Sequence, residues 1–227
     1  FGLDIAFFYA GATHNTVANA ELIGATTPFF VVPIGAKFFS EHLNPKALLF
    51  ALVGFGGVAI VLFSASPSGD ASLRGDIFGG VAVMMWVGYI ATTRHFRREM
   101  DVVQYMAAMT PFAVVSVIPV ALINGDITHV TAHGWLFIVL LTVITGVVAH
   151  GLMVFAQKTV PIGTIGIAQV AQPAFAALWS YILLDETLRG WQVVGMVLVL
   201  GGLVAFVALN RSTVETTTHG ELVGSTG

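Results

Sequence analysis

Long apolar runs alternate with short polar connections along almost the whole chain. Eight runs stand out: 1–11, 16–39, 47–63, 76–93, 102–123, 134–156, 162–184 and 190–209. The first is short. The others approach or exceed the roughly 20 residues a helix needs to cross the hydrocarbon core of a bilayer. Polar punctuation closes them, at Ser40-Glu41-His42, at the turn-rich stretch 64–70, at Arg94-His95-Phe96-Arg97-Arg98 and at Asn124-Gly125-Asp126. Strands of a membrane barrel would be shorter and would alternate in polarity, so the pattern predicts an all-α, multi-pass transmembrane bundle. Residues 210–227, polar and rich in Thr and Gly, read as a disordered tail.

A displacement of 145 positions lays the second and third runs on the seventh and eighth. Pro28 then meets Pro173, Glu41 meets Glu186, Leu43 meets Leu188, and Gly56-Gly57 meets Gly201-Gly202 without a gap. Loop charges orient the copies, because Lys and Arg concentrate on the cytoplasmic side. With the 94–98 loop inside, Lys37, Lys46, Arg94, Arg97, Arg98, Lys158 and Arg211 lie inside and only Arg74 and Arg189 outside, which puts the C-terminus in the cytoplasm. The 41–46 loop then faces in and its mate 186–191 faces out, so the copies are inverted, as units with an odd number of spans must be. The second copy, 75–209, holds five spans, whereas the first, 1–64, holds two and a half. Residue 76 mapped back by 145 falls at −69, so a ten-span parent is expected, with run 1–11 the second half of a helix equivalent to 134–156.

Inverted repeats are typical of secondary transporters, whose substrate sites lie near the midplane where helices are interrupted. Proline within a span removes a backbone hydrogen bond and bends or breaks the helix. Pro28 and Pro173 sit at the centres of matched runs, with Thr26 and Thr27 beside one and Gln169 and Gln172 beside the other. Those six residues are the expected cavity wall; the threonines and glutamines would also serve the carbonyls that the prolines free.

Composition narrows the class further. Only 9% of residues are charged, against about 25% in soluble domains, and the mean hydropathy is +0.89. With no cysteine, disulfides, thiolate metal sites and cysteine nucleophiles are excluded. A net charge of −3 without a basic run offers nothing to nucleic acid. No nucleophile elbow, zinc-protease motif or intramembrane aspartyl-protease peptide is present, so neither an enzyme nor a cofactor or metal is expected.

The paired elements Ala25-Thr26-Thr27-Pro28 through Ser40-Glu41-His42-Leu43, and Ala171-Gln172-Pro173 through Asp185-Glu186-Thr187-Leu188, each followed by a glycine-containing helix, resemble the EamA family of the drug/metabolite transporter superfamily. The resemblance covers the chain except its tail. It implies two inverted five-helix units in a plasma membrane, here of bacterial inner-membrane type. Such a protein moves a small organic metabolite or drug-like compound, often outward, by alternating access. Proton coupling and a homodimer are further expectations, with lipid and the small-molecule substrate as partners. The rival readings are an intramembrane enzyme acting on lipid or peptide, and a non-transporting scaffold with a sealed interior.

Ionisable groups within spans are costly and therefore candidate functional groups. Asp4, Glu21 and His150 qualify as proton-coupling candidates, against a reading as interface acids and a packing histidine. Glu41 and Glu186, at helix ends, read as capping, solvated carboxylates, with a gate latch as the functional alternative. Trp86, Tyr89 and Tyr105 read as lipid-facing or packing residues, or as an aromatic wall for a planar substrate. The glycine pairs read as close-packing positions.

Overall fold

A computed structural model describes residues 1–15, 17–64, 72–124, 130–184 and 188–224. Among the described residues the regular structure is all helical. Its elements are α1 (Gly2–Ala12), α2 (Val17–Gly24), α3 (Thr27–Phe39), α4 (Pro45–Ser64), α5 (Leu73–Phe96), α6 (Val102–Asn124), α7 (Ala132–Leu141), α8 (His150–Ala156), α9 (Ile162–Gln169), α10 (Gln172–Leu184) and α11 (Gly190–Gly224). A π-helical stretch, Thr142–Ala149, joins α7 to α8, and the apolar run gave no sign of it. Among the described residues seven spans are long and apolar enough to cross a membrane, and Gly2–Ala12 is a shorter apolar helix. The molecule is a multi-pass helical bundle.

The 145-residue offset is written into the helix boundaries. Displaced by it, α2 and α3 coincide with α9 and α10 at both ends, and the start of α4 coincides with that of α11. Mates α4 and α11 form the most extensive seam of the bundle. A Cβ at Gly57 would lie 2.7 Å from the carbonyl oxygen of Gly195, and a Cβ at Gly202 would lie 2.6 Å from that of Phe50. Phe50 is itself the mate of Gly195, so the seam maps onto itself when the copies are exchanged. Contacts that ascend one helix descend the other, from Gly57–Val199 to Phe50–Gly202, so the mates run antiparallel. Only one glycine of each pair makes the close approach; Gly56 and Gly201 face open space.

Two details depart from the sequence pattern. Both helix interruptions fall two to three residues before the proline, at Ala25–Thr26 and Val170–Ala171, rather than at it. Each proline thus occupies the first turn of the following helix, where a missing N–H costs nothing because that donor has no intrahelical acceptor. Both interruptions pack on the α4–α11 seam, where Ala25, Val170 and Ala171 join Val58, Val61 and Val199 in one core cluster. At the other departure, α11 continues as helix to Gly224, past position 210 where composition predicts disorder. Once a helix is nucleated, each further residue gains one hydrogen bond for the one residue it orders, with no second nucleation cost.

Candidate functional site

Between α1, α2, α5 and the α9–α10 interruption lies a cavity of about 270 Å³. It runs from Ala12 and Gly75, near the end of the bundle opposite Arg94 and Arg97, down to Trp86 and Gln169 at mid-span. Asp4 and Tyr9 face it from α1 and Glu21 from α2, with Thr27 beyond the first interruption and Gln172 and Pro173 beyond the second. No Lys, Arg or His is among its lining residues. Trp86 forms part of its floor and donates its indole N–H to Gln169 Oε1 at 3.0 Å, which ties α5 to the end of α9.

Two cavity-wall candidates, Thr26 and Pro28, sit elsewhere. The Thr26 hydroxyl donates to Ile23 O at 2.6 Å and that of Thr27 to Gly24 O at 2.7 Å. Gly24 O is the carbonyl that a residue other than proline at position 28 would have served, so Thr27 supplies the missing donor. Thr26 lies off the cavity wall, and Pro28 lines a separate, mainly apolar cavity of about 250 Å³ with Phe29, Leu52 and Phe55.

His150 does not reach the main cavity. Its Nε2 lies 2.6 Å from the Tyr89 hydroxyl, with the two rings stacked 5.5 Å apart behind Trp86. Tyr105 continues this network through the Thr93 hydroxyl at 2.7 Å. Tyr89 and Tyr105 are buried rather than lipid-facing, because each hydroxyl has an intramembrane partner.

At the arginine-rich end the two copies are closed against each other. Ser40 adopts a left-handed conformation, φ 54°, which turns the chain sharply after α3. Glu41 then meets the first turn of α9, accepting the backbone N–H of Ile162 at 2.9 Å and of Gly163 at 3.3 Å. Arg94 Nε lies 3.7 Å from the same carboxylate, whose side chain is 6% exposed. The expectation of a solvated surface acid is therefore corrected. Glu41 caps a helix 121 positions away, where a carboxylate satisfies orphan N–H groups and complements the positive helix end. Gly163 and Gly166 bring α9 flush with α3: a Cβ at Gly166 would meet Val31 Cβ at 3.4 Å and Pro28 Cα at 3.6 Å. Arg94 and this glycine face escaped the sequence reading, although the three-residue spacing of Gly163 and Gly166 puts both on one helix face. Glu186 lies outside the described residues.

Known proteins resemble this chain in sequence over one segment and in fold. A riboflavin transporter from Brucella anthropi is 28% identical over 86 residues, which is 38% of this chain and 29% of that relative's length. A solved crystal structure described simply as that of a protein superposes with a TM-score of 0.76 at 20% identity, covering 93% of this chain and 75% of the other; that likeness is one of fold. The EamA-like transporter family matches residues 73–208, more than half of the chain. By that match this chain belongs to the EamA-like transporter family.

Proposed function

We propose that the protein is a secondary transporter that moves a small organic metabolite or drug-like compound across the plasma membrane by alternating access. The observation that carries this reading is a cavity bearing Asp4, Glu21, Gln169 and Gln172 between the two copies, which runs from the end opposite Arg94 to the paired helix interruptions, while the arginine-rich end is closed by Glu41, Gly163 and Gly166. Loop charge orients the arginine-rich end and the C-terminus toward the cytoplasm, so the state described here is outward-facing. A scaffold with a sealed interior would have no such cavity.

The wall suggests the substrate's chemistry. Tyr9 and Trp86 offer apolar faces for a planar ring, and Gln172 offers an amide that both donates and accepts. This combination is compatible with a flavin-like heterocycle, the class named for the Brucella anthropi relative. Asp4 and Glu21 lie where coupling to a proton would act on the cavity, whereas His150 is engaged by Tyr89.

The test is uptake and export of a metabolite panel, riboflavin included, by the full chain in proteoliposomes with and without a pH gradient. Movement of at least one solute above empty vesicles is expected. Movement of none in either direction overturns the transporter reading.

A further inference from the structure

The two copies hold the same helix contact in different states. In one, α9 lies on α3: Val31 is fully buried, Thr27 is 3% exposed, and Gly166 sits against Val31 and Pro28. In the other, the mates α2 and α10 stand apart across the cavity. There Ala176, the mate of Val31, and Gln172, the mate of Thr27, are exposed. Inverted copies alternate by exchanging such arrangements, so closing the cavity means laying α2 on α10 as α9 now lies on α3.

The residue that enters that contact is not neutral. Gly166 maps to Glu21. The seam at Gly166 has room for about one carbon before it meets Val31 and Pro28. At the mate position α2 brings a carboxylate, opposite the smaller Ala176 and beside Pro173. Ala176 makes space but provides no donor; the neutral amide of Gln172 is the polar side chain that α10 brings to the cavity. Closure would take Glu21 out of an open cavity into a close-packed seam, where an uncompensated charge is strongly disfavoured.

No cation of the described residues faces Glu21. From α1 the titratable groups are Asp4 and Tyr9 on the cavity wall, neither positive, and the Phe1 ammonium at the start of the helix, where Phe1 lies on His150. His14, in the α1–α2 connection, is engaged with Ala10 O and the Thr13 hydroxyl. On α5, Arg74 lies over the Phe78 ring and Asp76 accepts from Asn15 at 2.7 Å. The sole charged side chain of α4 is Lys46, at its other end.

We infer that Glu21 is the closing checkpoint of the cavity: α2 packs on α10 only when the Glu21 carboxyl carries a proton. Asp4 belongs to α1, which is packed on α5, and therefore lies outside the moving seam. Protonation from the open side and release after reorientation would couple each closure to one proton. This rests on the alternating-access reading and gives it a coupling residue.

The chain has no cysteine, so Ala82→Cys on α5, a cavity-wall position 3% exposed, serves as a single reporter. Its alkylation by a membrane-impermeant maleimide in proteoliposomes is normalised at each pH to the same protein denatured in detergent, which cancels thiol ionisation. Between about pH 8 and about pH 5, a range that brackets carboxyl titration in proteins, the normalised rate is expected to fall roughly tenfold. Glu21→Gln should give the low rate throughout, while Glu21→Asp and Asp4→Asn should both keep the fall. A flat profile with Glu21 intact, a fall that survives Glu21→Gln, or its loss in Asp4→Asn overturns the assignment. Absence of transport across the metabolite panel would instead count against the transporter reading, and leaves these accessibility outcomes unchanged.

Discussion

The Glu41 carboxylate accepts the backbone N–H of Ile162 at 2.9 Å, joining the end of α3 to the start of α9. It also accepts the N–H of Gly163 and forms an ion pair with Arg94, so one side chain serves two backbone donors and a cation. Glu41→Ala leaves those two N–H groups without their acceptor and Arg94 without its countercharge in a nearly dry contact. Hydrogen bonds to charged groups contribute about 1.5–3 kcal/mol each, enough to shift a two-state balance by more than tenfold. The expected outcome is faster labelling of a Thr164→Cys reporter from the arginine-rich side, by roughly tenfold. An unchanged rate would mean that the glycine packing alone holds this end shut.

The glycine pairs separate by a single position. At Gly57 and Gly202 an added Cβ collides with backbone across the seam, whereas Gly56 and Gly201 face open space. Gly57→Ala and Gly202→Ala should each lower stability by about 1–3 kcal/mol, the usual cost of overpacking, and by similar amounts because the seam is self-symmetric. Gly56→Ala and Gly201→Ala should be neutral or stabilising by up to about 1 kcal/mol, since alanine is the better helix former. Thermal unfolding of the four variants in detergent decides it, and equal losses at all four sites would contradict the packing.

Spans, paired copies and their matched helix interruptions were all legible in the sequence, because membrane-length apolar runs and a shared offset are one-dimensional signals. The partners were not. Glu41 looked like a surface acid because sequence shows that it ends a helix but not that α9 begins beside it. Thr26 and Thr27 looked equivalent, yet Thr27 lines the cavity and Thr26 does not, a difference of facing that a linear sequence does not show. Which copy is closed is a property of the conformation, so the difference between Gly166 and Glu21 gained meaning only once α9 was seen packed and α2 was not.

Tyr89 and His150 share a 2.6 Å hydrogen bond away from the cavity wall. Tyr89→Phe keeps the ring stack with His150 and Phe1 but leaves the imidazole nitrogen without its partner. The loss of one buried polar partner costs about 1–3 kcal/mol, so the melting temperature should drop while transport kinetics of any active solute change little. A large fall in transport at unchanged melting temperature would instead put the pair in the transport path.

Trp86 and Gln169 are the one side-chain link between α5 and the interruption of the second copy among the described hydrogen bonds. Gln169 Nε2 reaches only Met153 Sδ at 3.7 Å, a weak acceptor, so the indole N–H is its principal anchor. Trp86→Phe keeps most of the aromatic floor and removes the donor; Gln169→Leu keeps the volume and removes the acceptor. Each alone strands a polar atom, but together they strand none, since replacing both partners can be nearly neutral. The double variant should therefore unfold less readily than the sum of the singles implies, with a coupling of about 0.5–1.5 kcal/mol. Transport would separate the roles further, because a floor that only packs should tolerate the double variant. One that also holds the solute should show a raised KM in Trp86→Phe that the second substitution does not restore.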